Sequence, residues 1–233
     1  MPIDYDPIAP PDQFDALREL QLPVDMLRWA PAWMTLRSRR AEHPRTVILL
    51  PGFGASPRSM RLLESFLRRH GHRVRDWGLG RNTGEVARFR DGLKQVVRDS
   101  VAAHGEPVVL VGWSLGGYIA REYAREHPDE VRKVITFGTP VIGGPRYTST
   151  AARYRAQGHD LEEVERAVKD RYRVPLRVPV VAIYSKRDGI VAWQACIDRW
   201  SPNVRHVEVR ETHIGMAFAP RVLGIVAEEV ERG

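Results

Sequence analysis

The residues best placed to do chemistry centre on a serine framed by glycines, Gly112-Trp113-Ser114-Leu115-Gly116. An apolar run over residues 108–111 precedes it, and a helix-like stretch over residues 118–123 follows. Strand, tight turn and helix in that order force the middle residue onto a strained backbone, with its side chain held clear of the sheet. Gly112 and Gly116 stand where any side chain would crowd such a turn. An ordinary loop serine is the plainer alternative, and the flanking strand and helix weigh against it.

A serine hydroxyl is a weak nucleophile until a base takes its proton and a carboxylate orients that base. These partners are expected on loops after later strands, the carboxylate before the histidine. Asp188 follows the strand-like run 180–184, and His213 follows the run 204–209. Taken singly, Asp188 could be only the cap of a following helix, and His213 only a lone surface histidine. Arriving in order at successive strand ends, they fit the acid and base of acyl chemistry at Ser114. His206 and Glu208, inside a strand, and Asp198, in an expected helix, are weaker choices. Acyl chemistry also needs donors for a developing oxyanion. Pro51-Gly52-Phe53-Gly54-Ala55 directly follows the run 46–50, so the backbone N–H groups of Phe53 and Leu115 are the expected donors. Leu115 also opens a helix, whose positive end favours negative charge. Phosphate binding is the rival reading of this loop, but it lacks Gly-Lys-Ser/Thr and has the wrong glycine spacing. Phe53, Trp113 and Met216 are the expected apolar wall of the substrate pocket. Arg81 and Asn82 could line its mouth, although pinning loops to backbone carbonyls is favoured.

The elements that would position these residues alternate. Continuous apolar runs at 46–50, 108–111, 134–137 and 180–184 suit strands buried on both faces of a parallel sheet. Residues 72–76 and 204–209 alternate more and suit edges. Helical patterns lie between, at 59–70, 84–104, 115–127, 192–200 and 216–232. The expectation is an α/β fold with about six mainly parallel strands flanked by helices. Residues 1–44 are expected to form an N-terminal helical extension packed on the core, and residues 45–233 the main domain. Within the extension, Trp29 and Trp33 share a helix face; it could meet a partner or membrane, with packing onto the main domain favoured. The stretch 141–178 is longer than a plain crossover requires and is expected to form a small lid-like insertion above the strand ends.

Taken together, the stretches Leu50-Pro51-Gly52-Phe53, Trp77-Gly78-Leu79-Gly80-Arg81-Asn82, Val111 to Gly117, Thr136-Phe137-Gly138-Thr139-Pro140, Asp188-Gly189-Ile190-Val191 and Thr212-His213-Ile214-Gly215-Met216 resemble the α/β-hydrolases. The resemblance is closest to the compact bacterial lipase/esterase-type serine hydrolases and spans roughly residues 45–230. It implies Ser114 as nucleophile, Asp188 as acid and His213 as base. It also implies a sheet lacking the first two strands of the full fold, in the order 2-1-3-4-5-6. Pro51 stands where some lipases of this kind carry a histidine. The resulting expectation is a carboxylic ester hydrolase acting on a small-molecule ester or lipid. An acyltransferase using the same residues and a catalytically inactive lipid- or partner-binding module are the alternatives.

Composition narrows the rest. Hydrophobic residues at 43% and charged residues at 28% are ordinary for a globular domain. No run of ~18 uncharged apolar residues occurs, so no membrane span is expected, although peripheral membrane contact remains open. The acidic, polar start Met1-Pro2-Ile3-Asp4-Tyr5-Asp6 lacks the pattern of a secretion signal, so the expected compartment is the cytoplasm. The single cysteine, Cys196, excludes an internal disulfide. The net charge is +7, but only Lys94, Lys133, Lys169 and Lys186 among 36 basic residues are lysines. The densest clusters, Arg37-Ser38-Arg39-Arg40 and Arg68-Arg69, are too scattered and too bare of motifs to suggest nucleic-acid binding. No cofactor and no metal are expected.

Overall fold

The computed structural model describes residues 8–36, 40–156, 158 and 160–232. The start at 1–6 and the basic stretch 37–39 discussed above lie outside the described residues.

Six strands form one sheet: β1 (Thr46–Leu50), β2 (Arg73–Asp76), β3 (Val108–Trp113), β4 (Val131–Phe137), β5 (Val180–Ser185) and β6 (Val204–Val209). Their order is β2-β1-β3-β4-β5-β6, and every pairing is parallel. Side chains alternate across a strand, so each apolar run feeds two cores at once. Val47, Leu49, Val109, Val111, Ile135 and Phe137 face one side. Ile48, Leu50, Val108, Leu110, Val134 and Val180 face the other. This is why the central strands read as unbroken Val/Ile/Leu segments. The two edge strands, partly exposed, read as alternating.

On the first face lie α3 (Arg61–Arg69) and α8 (Pro220–Glu231), through Leu63, Phe66, Leu67, Val222, Leu223 and Val226. Complete burial of Leu67 is worth about 1.5–3 kcal/mol in transfer energy alone. On the second face lie α4 (Val86–His104) and α5 (Leu115–Glu126), through Phe89, Leu93, Val97, Ile119 and Tyr123. Gly105, left-handed at φ 67°, ends α4.

Before the sheet come α1 (Gln13–Leu17), a single 3-10 turn (Arg18–Gln21) and α2 (Leu22–Thr35). Trp29, Trp33 and Leu36 lie half-buried against the core that includes α8. Between β4 and β5 lie α6 (Ala151–Ala156) and α7 (Leu161–Arg171). Two helical expectations are corrected. The stretch 192–200 is only a 3-10 turn, Trp193–Cys196, because Asp198 folds back to accept the N–H groups of Trp200 (2.9 Å) and Ser201 (3.0 Å). The stretch 216–232 is divided into a 3-10 turn, Gly215–Ala217, and α8, which Pro220 opens at its first position.

Candidate active site

Ser114 ends β3 and precedes α5 with φ 53° and ψ −124°. Among the described residues it is the sole non-glycine residue at positive φ. Such a conformation costs about 1–3 kcal/mol and persists only where its surroundings dictate it. Here they do. The Ser114 N–H donates to the Phe137 carbonyl at 2.9 Å. Its own carbonyl accepts from the Gly117 N–H and from Thr139 Oγ1, each at 2.9 Å. The framing glycines are required by contact. A methyl group at Gly116 would lie 2.4 Å from the Leu50 carbonyl oxygen, and one at Gly112 would lie 2.4 Å from Gly117 backbone.

Asp188 and His213 lie after β5 and β6 and meet each other. The Asp188 Oδ2 to His213 Nδ1 distance is 2.7 Å, and both side chains are buried. Asp188 Oδ1 is spent on its own loop, accepting the N–H groups of Ile190 (2.9 Å) and Val191 (2.7 Å). A carboxylate at Nδ1 keeps the proton there and leaves Nε2 as the basic nitrogen. Burial disfavours the charged ring, but the charge and hydrogen bond of Asp188, with the charge of Glu19, outweigh it and raise the His213 pKa. The ring sits beside the serine turn: its centroid is 5.5 Å from that of Trp113, the residue before Ser114. It also fills the space over Gly138, where a methyl group would lie 2.8 Å from Nδ1. Gly138 in turn follows Phe137, whose carbonyl holds the Ser114 N–H.

The loop after β1 faces the same turn. A methyl group at Gly52 would lie 3.3 Å from Ser114 Cβ. Around it the backbone donors are committed: Gly54 N–H to the Asn82 carbonyl (2.7 Å), Ala55 N–H to Gly52 (3.0 Å). The N–H groups of Phe53 and Leu115 donate to no partner among the described residues. Phe53, Ser114 and Leu115 all line one cavity of about 380 Å³. Its wall is mainly apolar, with Tyr118 from α5, Tyr154 from α6, and Val164 and Val168 from α7. The Phe53 ring packs against Tyr154, tilted by 30° with 4.6 Å between centroids. A larger groove of about 730 Å³ runs along α3 among Arg58, Arg61, Glu64 and Arg68, and Ser114 takes no part in it.

The sequence model of the alpha/beta hydrolase family matches residues 47–226, well over half of the chain. The chain belongs to the alpha/beta hydrolase family. The solved structures similar to this hydrolase include a monoacylglycerol lipase of Paleococcus ferrophilus, with a TM-score of 0.63 and 16% identity, covering 81% of this chain and 95% of that one. Mouse alpha/beta hydrolase domain-containing protein 10 has a TM-score of 0.60 and 19% identity, covering 82% of this chain and 90% of that one. At these identities the likeness is one of fold. Among curated proteins, a pimeloyl-[acyl-carrier protein] methyl ester esterase of Aromatoleum aromaticum is 33% identical over 99 residues, which are 40% of this chain and 36% of that protein. One of the same name from Chromobacterium violaceum is 48% identical over 44 residues, 18% of this chain and 17% of that protein. The matched stretches therefore span little more than a third, or less than a fifth, of these curated relatives.

Several other residues of this α/β-hydrolase settle into definite places. Asn82 is fully buried and donates from Nδ2 to the Pro51 carbonyl at 2.9 Å, while Arg81 donates to the Gly54 carbonyl. Both pin the Phe53 loop. Trp113 and Met216 do not line the cavity. Met216 is fully buried in the core, its Cε near Gly138, because the 3-10 turn after His213 aims it inward. Asp198 is paired with Arg121, and its backbone N–H donates to His206 Nε2 at 3.0 Å. Cys196 is buried; burial and then the nearby Asp188 push its thiol pKa well up, which disfavours the thiolate. Among the described residues no cluster of three or more His, Cys, Asp or Glu is placed to hold a metal ion. No helix among them is long and apolar enough to cross a membrane.

Sequence reasoning passed over one carboxylate. Glu19, in the 3-10 turn between α1 and α2, accepts the N–H groups of Gly189 (2.9 Å), His213 (2.9 Å) and Ile214 (2.8 Å).

Proposed function

We propose that the protein hydrolyses carboxylic esters, as an esterase or lipase, through an acyl-enzyme on Ser114. The observation that carries this reading is the buried Asp188–His213 pair at 2.7 Å beside a serine held at positive φ. His213 Nε2 takes the proton from Ser114 Oγ as that oxygen attacks the ester carbonyl. The N–H groups of Phe53 and Leu115, which donate to no partner among the described residues and belong to two residues of the same cavity wall, receive the negative charge on the carbonyl oxygen. Collapse of the tetrahedral intermediate expels the alcohol, which takes the proton from His213. Water then attacks the acyl-enzyme, giving its proton to His213, and the acid leaves as Ser114 regains its proton. Asp188, hydrogen-bonded to Nδ1, stabilises the imidazolium that forms.

The cavity supports an apolar acyl group. Its charged residues are already engaged: Arg171 with Glu122 and Glu126, and Arg90 with Glu126 at 3.0 Å. The insertion 141–178, through α6 and α7, supplies one side of this cavity and serves as its lid. The partial curated relatives are named as methyl ester esterases, which agrees with ester chemistry.

Hydrolysis of p-nitrophenyl esters by the wild type and by Ser114→Ala tests the reading. The variant is expected to lose ~10⁴-fold or more in kcat. A fluorophosphonate probe should label the wild type at Ser114 and leave the variant unlabelled. Activity retained in Ser114→Ala removes the assignment.

A further inference from the structure

We propose that Glu19 is a positioning residue, whose carboxylate clamps the turn carrying Asp188 to the turn carrying His213 and so makes the N-terminal segment part of the active site. This inference rests on the proposed roles of those two residues. The two Glu19 oxygens accept three backbone N–H groups, one from the acid's turn and two from the base's. Oε1 takes Gly189 and His213, each at 2.9 Å, and Oε2 takes Ile214 at 2.8 Å. In sequence these donors lie about 170–195 residues from Glu19. A carboxylate satisfied by several N–H groups makes strong, charge-assisted bonds.

The surrounding contacts are built for this approach. A methyl group at Gly189 would lie 2.2 Å from the Asp15 carbonyl oxygen, so only glycine lets the segment close on the acid's turn. A methyl group at Gly215 would lie 3.2 Å from the Trp29 ring, on the base's side. Arg187 donates to Gln21 Oε1 at 3.2 Å. The local fold that presents Glu19 is itself fixed. Asp12 and Asp15 cap α1 reciprocally, Asp15 N–H to Asp12 Oδ1 at 2.8 Å and Asp12 N–H to Asp15 Oδ2 at 3.3 Å.

Glu19 is half-buried and does not line the cavity that Ser114 opens into. Its action on chemistry runs through His213 in two ways. It fixes the backbone on which the imidazole is mounted, and its charge favours the protonated ring. The charged groups that bear on His213 are Asp188, from the loop after β5, and Glu19, from the N-terminal segment. Trp113 and Gly138, which lie against the ring, carry no charge.

Glu19→Gln tests this in the full chain, because it keeps the shape, removes the charge and turns an NH₂ group toward a backbone donor. Glu19→Asp is the conservative partner, shorter but still charged. NMR titration of His213 is the primary readout, since it needs no turnover. Glu19→Gln is expected to lower the His213 pKa and to weaken or broaden the downfield Nδ1 proton signal, and Glu19→Asp to restore part of both. Ester hydrolysis should fall ~10²-fold in kcat with KM little changed, as for a misplaced catalytic group. A melting curve identifies any variant that has lost its fold, and the charged Glu19→Asp then carries the comparison. An unaltered His213 titration in both variants overturns the clamp. Should Ser114→Ala retain activity, the serine mechanism falls, yet the titration still decides whether Glu19 holds His213.

Discussion

The side-chain amide of Asn82 donates to the Pro51 carbonyl at 2.9 Å, tying the loop after β2 to the loop that presents Phe53. Asn82 has no exposed surface, and its Oδ1 accepts the Gly84 N–H at 3.2 Å. Asn82→Ala leaves both a buried carbonyl and an N–H without their partner. The expected loss of stability is about 1–3 kcal/mol for the unpaired group. Because the Pro51 carbonyl is two residues from the Phe53 N–H, ester hydrolysis should drop by up to roughly 10²-fold, the lower range for losing one oxyanion donor. Urea denaturation and steady-state kinetics on the same sample check both. Wild-type kcat in a destabilised variant would show that Asn82 holds the loop without holding the proposed Phe53 donor.

His213 makes the pH dependence a signed prediction. As the proposed base it works only when neutral, so kcat/KM should rise with pH through the His213 pKa of the free enzyme. Asp188 and Glu19 raise that pKa against the effect of burial, so the midpoint should fall above the ordinary histidine value of about 6.5. The same shift acts on stability in the opposite sense. A group whose folded pKa is raised contributes stability that is fully present below about 6.5 and is lost as pH rises through the folded value. A kcat/KM profile and a set of melting curves across neutral pH read the two together. An acid limb below 6.5 contradicts the assignment of His213 as the base.

Much of this site could be read from sequence because its signals are local. Gly112, Ser114 and Gly116 lie within one five-residue turn, and its two glycines are required by the backbone that a side chain there would strike. Asp188 and His213 were legible because a parallel sheet puts the ends of successive strands on one edge. The strand order followed from resemblance. Other features had no local signal. Glu19 is an ordinary polar residue in a short turn, and only the tertiary fold brings it to Gly189 and His213. Met216 looks like a pocket residue from its distance to His213 in sequence, but one 3-10 turn rotates it into the core. The 192–200 stretch has a helical composition, yet Asp198 is drawn to Arg121 and breaks it.

That Arg121–Asp198 pair supports a stability prediction remote from the chemistry. Both side chains are essentially without solvent exposure, Arg121 from α5 and Asp198 from the segment before β6. Asp198 is held down to a pKa of about 2: burial opposes ionisation, but Arg121 and the N–H groups of Trp200 and Ser201 prevail. Removing one partner strands the other's charge in the interior. Asp198→Ala is expected to cost about 3–5 kcal/mol, whereas replacing both residues with apolar side chains of similar volume should cost far less. Since the Asp198 pKa is depressed, its contribution is present above the unfolded value and fades as pH falls through the folded one. Denaturant midpoints of the single and double variants decide the matter. Equal losses in both would mean that the pair's packing, and not its charge, is what counts.

Val164 faces the cavity from α7 and is only half-buried, so it can be enlarged without disturbing the sheet. Val164→Phe adds bulk on the part of the wall that α7 supplies. If an apolar acyl chain runs along that wall, the variant should leave short esters such as p-nitrophenyl acetate nearly unaffected. Longer esters should lose in kcat/KM, because their chain no longer fits. One methylene in an apolar pocket is worth about 1–3 kcal/mol, so a factor of roughly 10–200 is expected for each carbon excluded. Comparing acetate with decanoate as substrates measures the ratio directly. A parallel loss on both would place the acyl group elsewhere, with Val164 acting only through the stability of α7. An unchanged ratio with both activities intact would mean that the chain leaves the cavity before it reaches the insertion.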